Sequence, residues 1–229
     1  MSKSKSAGKK SARQPLQLDR FVRYVLHELR TPLTILKGEI GLALKKNRPA
    51  QEYRAVLASG LEEVDRISLI VENLSLLMKY ESGGALLSKI SVPVTGLIKK
   101  ISSDMKMPAV RKDIKMSFLP DEELSLHGDE SHLSVLFRNL LGSAVKCTPA
   151  GGSIVLRLKK ENGHAVARIS GPDFTLPVEQ PEASSVDDFA LGLRVAMLIV
   201  EAHGGMLRME KEPDGAPVLV VSIPLSIPE

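Results

Sequence analysis

Leu57, Leu61, Val64, Ile67, Val71, Leu74 and Met78 recur in steps of three and four between Gln51 and Tyr80. A seam of that period marks a helix that packs lengthwise against other helices. The segment before it, Leu16 to about Asn47, carries Phe21, Val22, Val25, Leu29, Leu33, Leu36 and Ile40 at similar spacing, and also reads as a helix. Pro32 lies inside this first helix; it removes one backbone donor and predicts a kink one turn after His27. Lys45–Ala50 is the expected turn. Two helices of roughly 30 residues, each ~45 Å long, cannot bury such stripes as an isolated pair. The simplest completion is a second copy of the chain, giving a four-helix bundle dimer through residues 16–80.

Glu81-Ser-Gly-Gly84 breaks the pattern, so residues 81–85 read as a linker. The rest of the chain has another architecture. Strands are expected at Leu86–Pro93, Ile114–Leu119 and Leu124–His127, with a helix from Val94 to about Val110 between the first two. Glu130–Cys147 is an amphipathic helix. Ser153–Lys160 and Ala165–Ser170 form a hairpin around Asn162-Gly163. Ala190–Ala202 is helical and closes at His203-Gly-Gly205. Leu207–Lys211 and Val218–Pro224 are the last strands, around Asp214-Gly215. This order predicts an α+β sandwich over 86–229, one sheet covered by helices.

The net charge of +4 is local. Lys3, Lys5, Lys9, Lys10 and Arg13 are five of the 31 basic residues; the other 26 face 27 acids. Residues 1–15 therefore read as a solvated, disordered basic tail, and no nucleic-acid partner is expected. The single cysteine, Cys147, excludes an internal disulfide and fits a reducing cytoplasm. Its expected place is a buried one, as a small hydrophobe. No apolar run approaches the ~18 residues of a membrane span, and no Cys/His cluster has zinc spacing, so no metal site of that kind is expected.

The most informative stretch is His27-Glu28-Leu29-Arg30-Thr31-Pro32-Leu33-Thr34. His27 lies off the main apolar stripe, where its imidazole can face solvent and act as a nucleophile. A carboxylate at Glu28 can accept the Nδ1 proton and raise the basicity of the other ring nitrogen. Thr31 lies one turn on along the same face. Its hydroxyl can position a water or an incoming phosphoryl group.

These eight residues resemble the phospho-acceptor motif of bacterial sensor histidine kinases. The two-helix unit, residues 16–80, resembles the family's dimerisation and histidine-phosphotransfer domain. The resemblance implies that His27 carries phosphate. It also implies that Glu28 and Thr31 supply the acid-x-x-Thr pattern used to dephosphorylate a response regulator. Residues 86–229 resemble the family's ATP-binding domain in a damaged form. In Asn139-Leu-Leu-Gly-Ser143-Ala-Val-Lys146, Asn139 and Lys146 match one of its motifs, but Ser143 replaces the second asparagine, which helps hold Mg²⁺. Gly171 matches a second motif, in which Ile169 stands for the aspartate that binds adenine and Asp173 for a glycine. Gly192 matches a third, with Ala190 for its preceding glycine; a glycine at a helix N-terminus lets backbone amides meet phosphate.

From Pro172 to Leu193 there is no Lys or Arg, and there are five acids: Asp173, Glu179, Glu182, Asp187 and Asp188. Each like-charge contact at ~4 Å costs on the order of 1 kcal/mol in water. An unpaired adenine edge costs about 1–3 kcal/mol if buried. Together these weaken nucleotide binding by roughly a hundredfold or more.

The expectation is a cytoplasmic, histidine-kinase-like phosphotransfer protein whose partner is a response-regulator receiver domain. Its transfer step needs no cofactor, and its Mg-ATP binding is weak or lost. One alternative is an active ATP-dependent kinase with an atypical pocket. Another is a non-catalytic dimerising regulator of another kinase.

Overall fold

The computed structural model describes residues 13–84, 86–171, 188–213 and 215–225, with side chains from position 25 onward and those of 188–190 excepted. Contacts divide the chain into two compact units, with the boundary between Glu72 and Asn73 inside the second helix.

The first unit is a helical hairpin. Helix α1 spans Arg13–Leu44 and α2 spans Ala50–Glu81, with Pro32 buried inside α1. Side chains set the turn. Arg48 donates to the Leu42 carbonyl at 3.3 Å and pairs with Glu52 at 3.2 Å, while the Tyr53 hydroxyl donates to the Lys46 carbonyl. Pro49 starts α2 by accepting from the Glu52 and Tyr53 amides. Across the hairpin Ser59 donates to Glu39 at 3.0 Å, and Gly60 lets the Leu36 side chain approach closely.

The seam read from the sequence is not the inside of this hairpin. Leu57, Leu61, Val64 and Val71 are exposed, Leu57 by 71%, and so are Leu33 and Ile40 of α1. Ala43 and Ile70 are buried.

The second unit starts with the end of α2. Its strands and helices are β1 Ile90–Val92, α3 Val94–Asp104, α4 Lys106–Arg111, β2 Lys115–Pro120, β3 Leu126–Gly128, α5 Glu130–Cys147, β4 Ser153–Glu161, β5 His164–Ser170, α6 Asp188–Ala202, β6 Met206–Lys211 and β7 Pro217–Pro224. Five strands form a sheet in the order β2-β4-β5-β7-β6, parallel only between β2 and β4; β1 and β3 form a separate antiparallel pair. Ile154, Leu156, Ile169 and Val221 of the sheet are buried with Phe137, Leu140 and Leu141 of α5 and Val195 and Ile199 of α6. The expected α+β sandwich is therefore present.

Three local expectations change. The helix expected over Val94–Val110 is two helices, broken at Met105. Pro108 explains the break: it has no N–H to donate to the carbonyl of Asp104, four residues earlier, where α3 stops. The strand expected over Leu86–Pro93 shrinks to Ile90–Val92, because β3 offers only three partners and the Ser88 amide donates to the Asp129 carboxylate instead. Cys147 is exposed, not buried, since it is the last residue of α5 and lies off that helix's packed face. The hairpin turn is as expected, with both Asn162 (φ 48°) and Gly163 (φ 79°) left-handed.

Candidate functional site

Each of the two units carries one candidate site. On α1, the His27 side chain is 77% exposed. Its Nδ1 lies 3.9 Å from Glu28 Oε1, beyond hydrogen-bond reach. Glu28 itself is buried, which fixes its carboxylate beside the ring's base. The Thr31 hydroxyl donates to the His27 carbonyl at 3.3 Å, one turn back along the helix. The three residues are thus together on one stretch of α1.

In the second unit, Asn139, Ser143 and Lys146 succeed one another along α5 at spacings of four and three, which is one helix face. Asn139 is buried, Ser143 half-buried and Lys146 exposed. Gly192 of α6 packs on Asn139: a Cβ there would stand 3.0 Å from Asn139 Oδ1. Gly171 has φ 126°, and a Cβ would collide with the Ser153 carbonyl oxygen, so only glycine fits. Ile169 is fully buried in the sheet core. The acidic stretch that includes Asp173, Glu179, Glu182 and Asp187 lies outside the described residues, as does the Asp188 side chain.

The Asn139 amide is already engaged. Asn73, in the last turns of α2, donates from Nδ2 to Asn139 Oδ1 at 3.0 Å, and Asn139 Nδ2 donates back to Asn73 Oδ1 at 2.7 Å. Both residues are buried. Two more contacts lie on the same run of α2. The Tyr80 hydroxyl meets His132 Nδ1 at 3.1 Å, and Glu81 pairs with Arg194 at 2.6 Å. Burial, with the Asp129 charge nearby, pushes the Tyr80 hydroxyl up to about 12.

Behind this face, His203 Nδ1 bonds the Ile199 carbonyl at 2.7 Å, and its Nε2 accepts from the Asp129 amide at 3.0 Å. These roles require the neutral ring with its proton on Nδ1. Burial lowers the His203 pKa, more than the Ile199 carbonyl raises it. Burial pushes the Asp129 carboxyl up, but hydrogen bonds from Ser131 and from the His132 and Ser88 amides outweigh it and hold it at about 2. His203 is therefore a structural residue at the end of α6. Among the described residues, no group of His, Cys, Asp and Glu could hold a metal ion, and no helix is long and apolar enough to cross a membrane.

Residues 17–83 match the family described as the His Kinase A (phospho-acceptor) domain. The sensor protein kinase PmrB of Pseudomonas aeruginosa is 33% identical over 201 residues, which cover 82% of this chain and 42% of PmrB. The chain belongs to the bacterial sensor histidine kinases. BaeS of Escherichia coli, a signal transduction histidine-protein kinase, is 25% identical over 223 residues, covering 90% of this chain and 46% of BaeS. The chain thus spans less than half the length of these relatives. The solved structure of the Acinetobacter baumannii histidine kinase AdeS superposes with a TM-score of 0.62 at 20% identity, covering 87% of this chain and 98% of that one. That likeness carries the histidine-kinase fold, a helical hairpin followed by an ATPase-type sandwich.

Asn73, Tyr80 and His132 are the residues that sequence reasoning missed as site neighbours. Little in the sequence signals Asn73, because Glu72 and Ser75 near it are polar as well; only its burial marks it as an amide that needs a partner.

Proposed function

We propose that this chain is a dimeric phosphotransfer protein of two-component signalling, in which His27 exchanges a phosphoryl group with the aspartate of a response-regulator receiver domain. The observation that carries the reading is the contrast between an open acceptor and a closed nucleotide face: His27 is 77% exposed, while Asn139 is buried and bonded to Asn73. A related solved structure, the histidine kinase ThkA in complex with the response regulator protein TrrA, supports the choice of partner; it covers 95% of this chain at a TM-score of 0.58 and 20% identity.

In the transfer, a lone pair of the His27 imidazole attacks the phosphorus of an aspartyl phosphate. A P–N bond forms, the P–O bond to the aspartate breaks, and the electron pair leaves on that carboxylate. Atoms and electrons balance between the two side chains alone. If Nε2 attacks, the Nδ1 proton faces Glu28, which stabilises the positive charge that develops on the ring. Thr31 marks the helix face on which, in a separate dephosphorylation, a water would attack the phosphorus of the regulator's aspartyl phosphate, releasing inorganic phosphate as the P–O bond to the aspartate breaks and its electron pair stays on that carboxylate. The homodimer forms through the exposed seam of Leu57, Leu61, Val64 and Val71.

As they stand, the described residues do not fit a Mg-nucleotide. Ile169 offers no acceptor to an adenine amino group. Ser143 lacks the amide carbonyl of the family pattern, and the Asn139 amide is used internally. The second reading, an active ATP-dependent kinase, keeps one observation in its favour: Asn139 and Gly192 remain adjacent.

A labelled phospho-receiver mixed with the purified chain is expected to give acid-labile phosphate on the chain, and His27→Ala is expected to abolish it. Exchange that persists in His27→Ala would sink the proposal. Labelling of His27 from Mg-ATP alone would favour the second reading.

A further inference from the structure

The reciprocal Asn73–Asn139 pair is unusual in what it joins. Asn139 matches the family's nucleotide-site motif, while Asn73 belongs to the second helix of the phospho-acceptor hairpin. A primary amide offers two donor hydrogens and two acceptor lone pairs. The pair consumes one of each on both partners, in a place where the two residues are only 4% and 5% exposed. Gly192 packs close on another side of the Asn139 oxygen, where a Cβ would stand 3.0 Å from Oδ1. A cation or a ligand hydrogen-bond donor therefore reaches Asn139 Oδ1 only by displacing Asn73.

The other two contacts extend the pair along one face of α2. Asn73 and Tyr80 are seven residues, two turns, apart. Leu76 and Leu77 between them are buried. Glu81 comes next with its ion pair to Arg194, in which both side chains are more than half exposed. The run is thus held by a buried amide pair at one end and a solvent-screened ion pair at the other, and the screened end is the weaker.

We propose that Asn73 acts as an intramolecular clasp: by holding the Asn139 amide in a buried, reciprocal pair it withholds that group from Mg-nucleotide, so that nucleotide binding requires the last two turns of α2 to let go. This rests on reading Asn139 as a nucleotide-site residue, and it makes part of the weak nucleotide binding conditional instead of permanent. It also places a control point on the same helix that forms the hairpin.

The test is a calorimetric titration of the full chain with Mg²⁺ and a non-hydrolysable ATP analogue. Asn73→Ala is expected to bind at least tenfold tighter than the unmodified chain. Adding Asn139→Ala to it should remove the gain. Binding that is no tighter in Asn73→Ala, or undetectable in both proteins, overturns the clasp. Should Asn73→Ala fail to fold, the Tyr80→Phe/Arg194→Ala variant keeps the buried pair and loosens only the outer contacts. It should bind severalfold tighter, and unchanged or undetectable binding there counts equally against the clasp. Phosphate acceptance by His27 from a labelled receiver is recorded on the same proteins. Its absence in the unmodified chain would end the phosphotransfer reading without touching the outcome of the nucleotide titration.

Discussion

The two residues that best mark this chain as a histidine kinase relative, His27 and Asn139, stand in opposite surroundings. His27 projects into solvent from α1, with a buried carboxylate at its base and a neighbouring threonine. Asn139 is enclosed, its amide matched to another amide, with a glycine pressed against its oxygen. An open nucleophile can be reached by a protein partner as it is. A closed amide must first give up a bond. Two motif residues kept in one sequence can thus differ in exposure, His27 standing open and Asn139 buried in a pair.

The sharpest way to break the comparison is to remove the open side. His27→Ala should reduce phosphate exchange to background while leaving thermal unfolding within about 0.5 kcal/mol of the unmodified chain, as expected for an exposed substitution. A large loss of stability would mean that His27 has a structural role that its exposure denies.

Next in size is the seam. Leu61→Lys places a charge where a second copy should cover a leucine worth about 1.5–3 kcal/mol of burial per chain. Two copies change at once, so sedimentation should show the dimer dissociating at concentrations at least a hundredfold higher. A dimer of unchanged strength would move the interface away from this stripe.

The closed side is tested by stability. Asn139→Ala leaves the buried Asn73 amide without its partner, at a cost of about 1–3 kcal/mol. In a double-mutant cycle the Asn73→Ala/Asn139→Ala protein should recover part of that loss. Strictly additive losses in urea unfolding would deny the pairing.

The acid response of the second unit comes from His203 and Asp129. His203 has a folded pKa below its unfolded value of roughly 6.5, because burial disfavours the charged ring. Its contribution is therefore fully present above that value and is lost as pH falls through the lower, folded pKa. Asp129, held at about 2, adds a second loss between its unfolded value of roughly 3.9 and pH 2. Urea unfolding from pH 8 to 3 should show the first decline, and His203→Gln should flatten it. A decline unchanged in that variant would place its cause elsewhere.

The smallest expected effect is at the end of α5, where Lys112 Nζ donates to the Val145, Lys146 and Thr148 carbonyls at 2.9, 2.9 and 3.1 Å. Lys112→Met should cost about 1 kcal/mol by uncapping that terminus, read as a few degrees in Tm.

Most of the element order was legible in the sequence, for reasons that differ between elements. Glu130–Cys147 is a helix because Asp129 caps it, accepting from the His132 amide, and because its apolar positions keep a helical period. Asn162-Gly163 makes a hairpin because both residues tolerate a left-handed backbone. Pro108 was visible, yet the break at Met105 was not read from it. A proline in the third position of a new helix is harmless, and only the register of the preceding turn says where that new helix begins.

What the sequence determined by itself was local and periodic: two long helices, a sandwich after them, and an acceptor motif on the first helix. Period and turn chemistry act between residues close along the chain, so they survive without the fold. The tertiary structure decided which surface each stripe meets. It left the Leu57–Val71 seam uncovered within one chain, and it buried Asn73 against Asn139 across 66 residues of sequence. Partners that far apart are chosen by the packing of whole elements, and nothing in the spacing of either segment names the other.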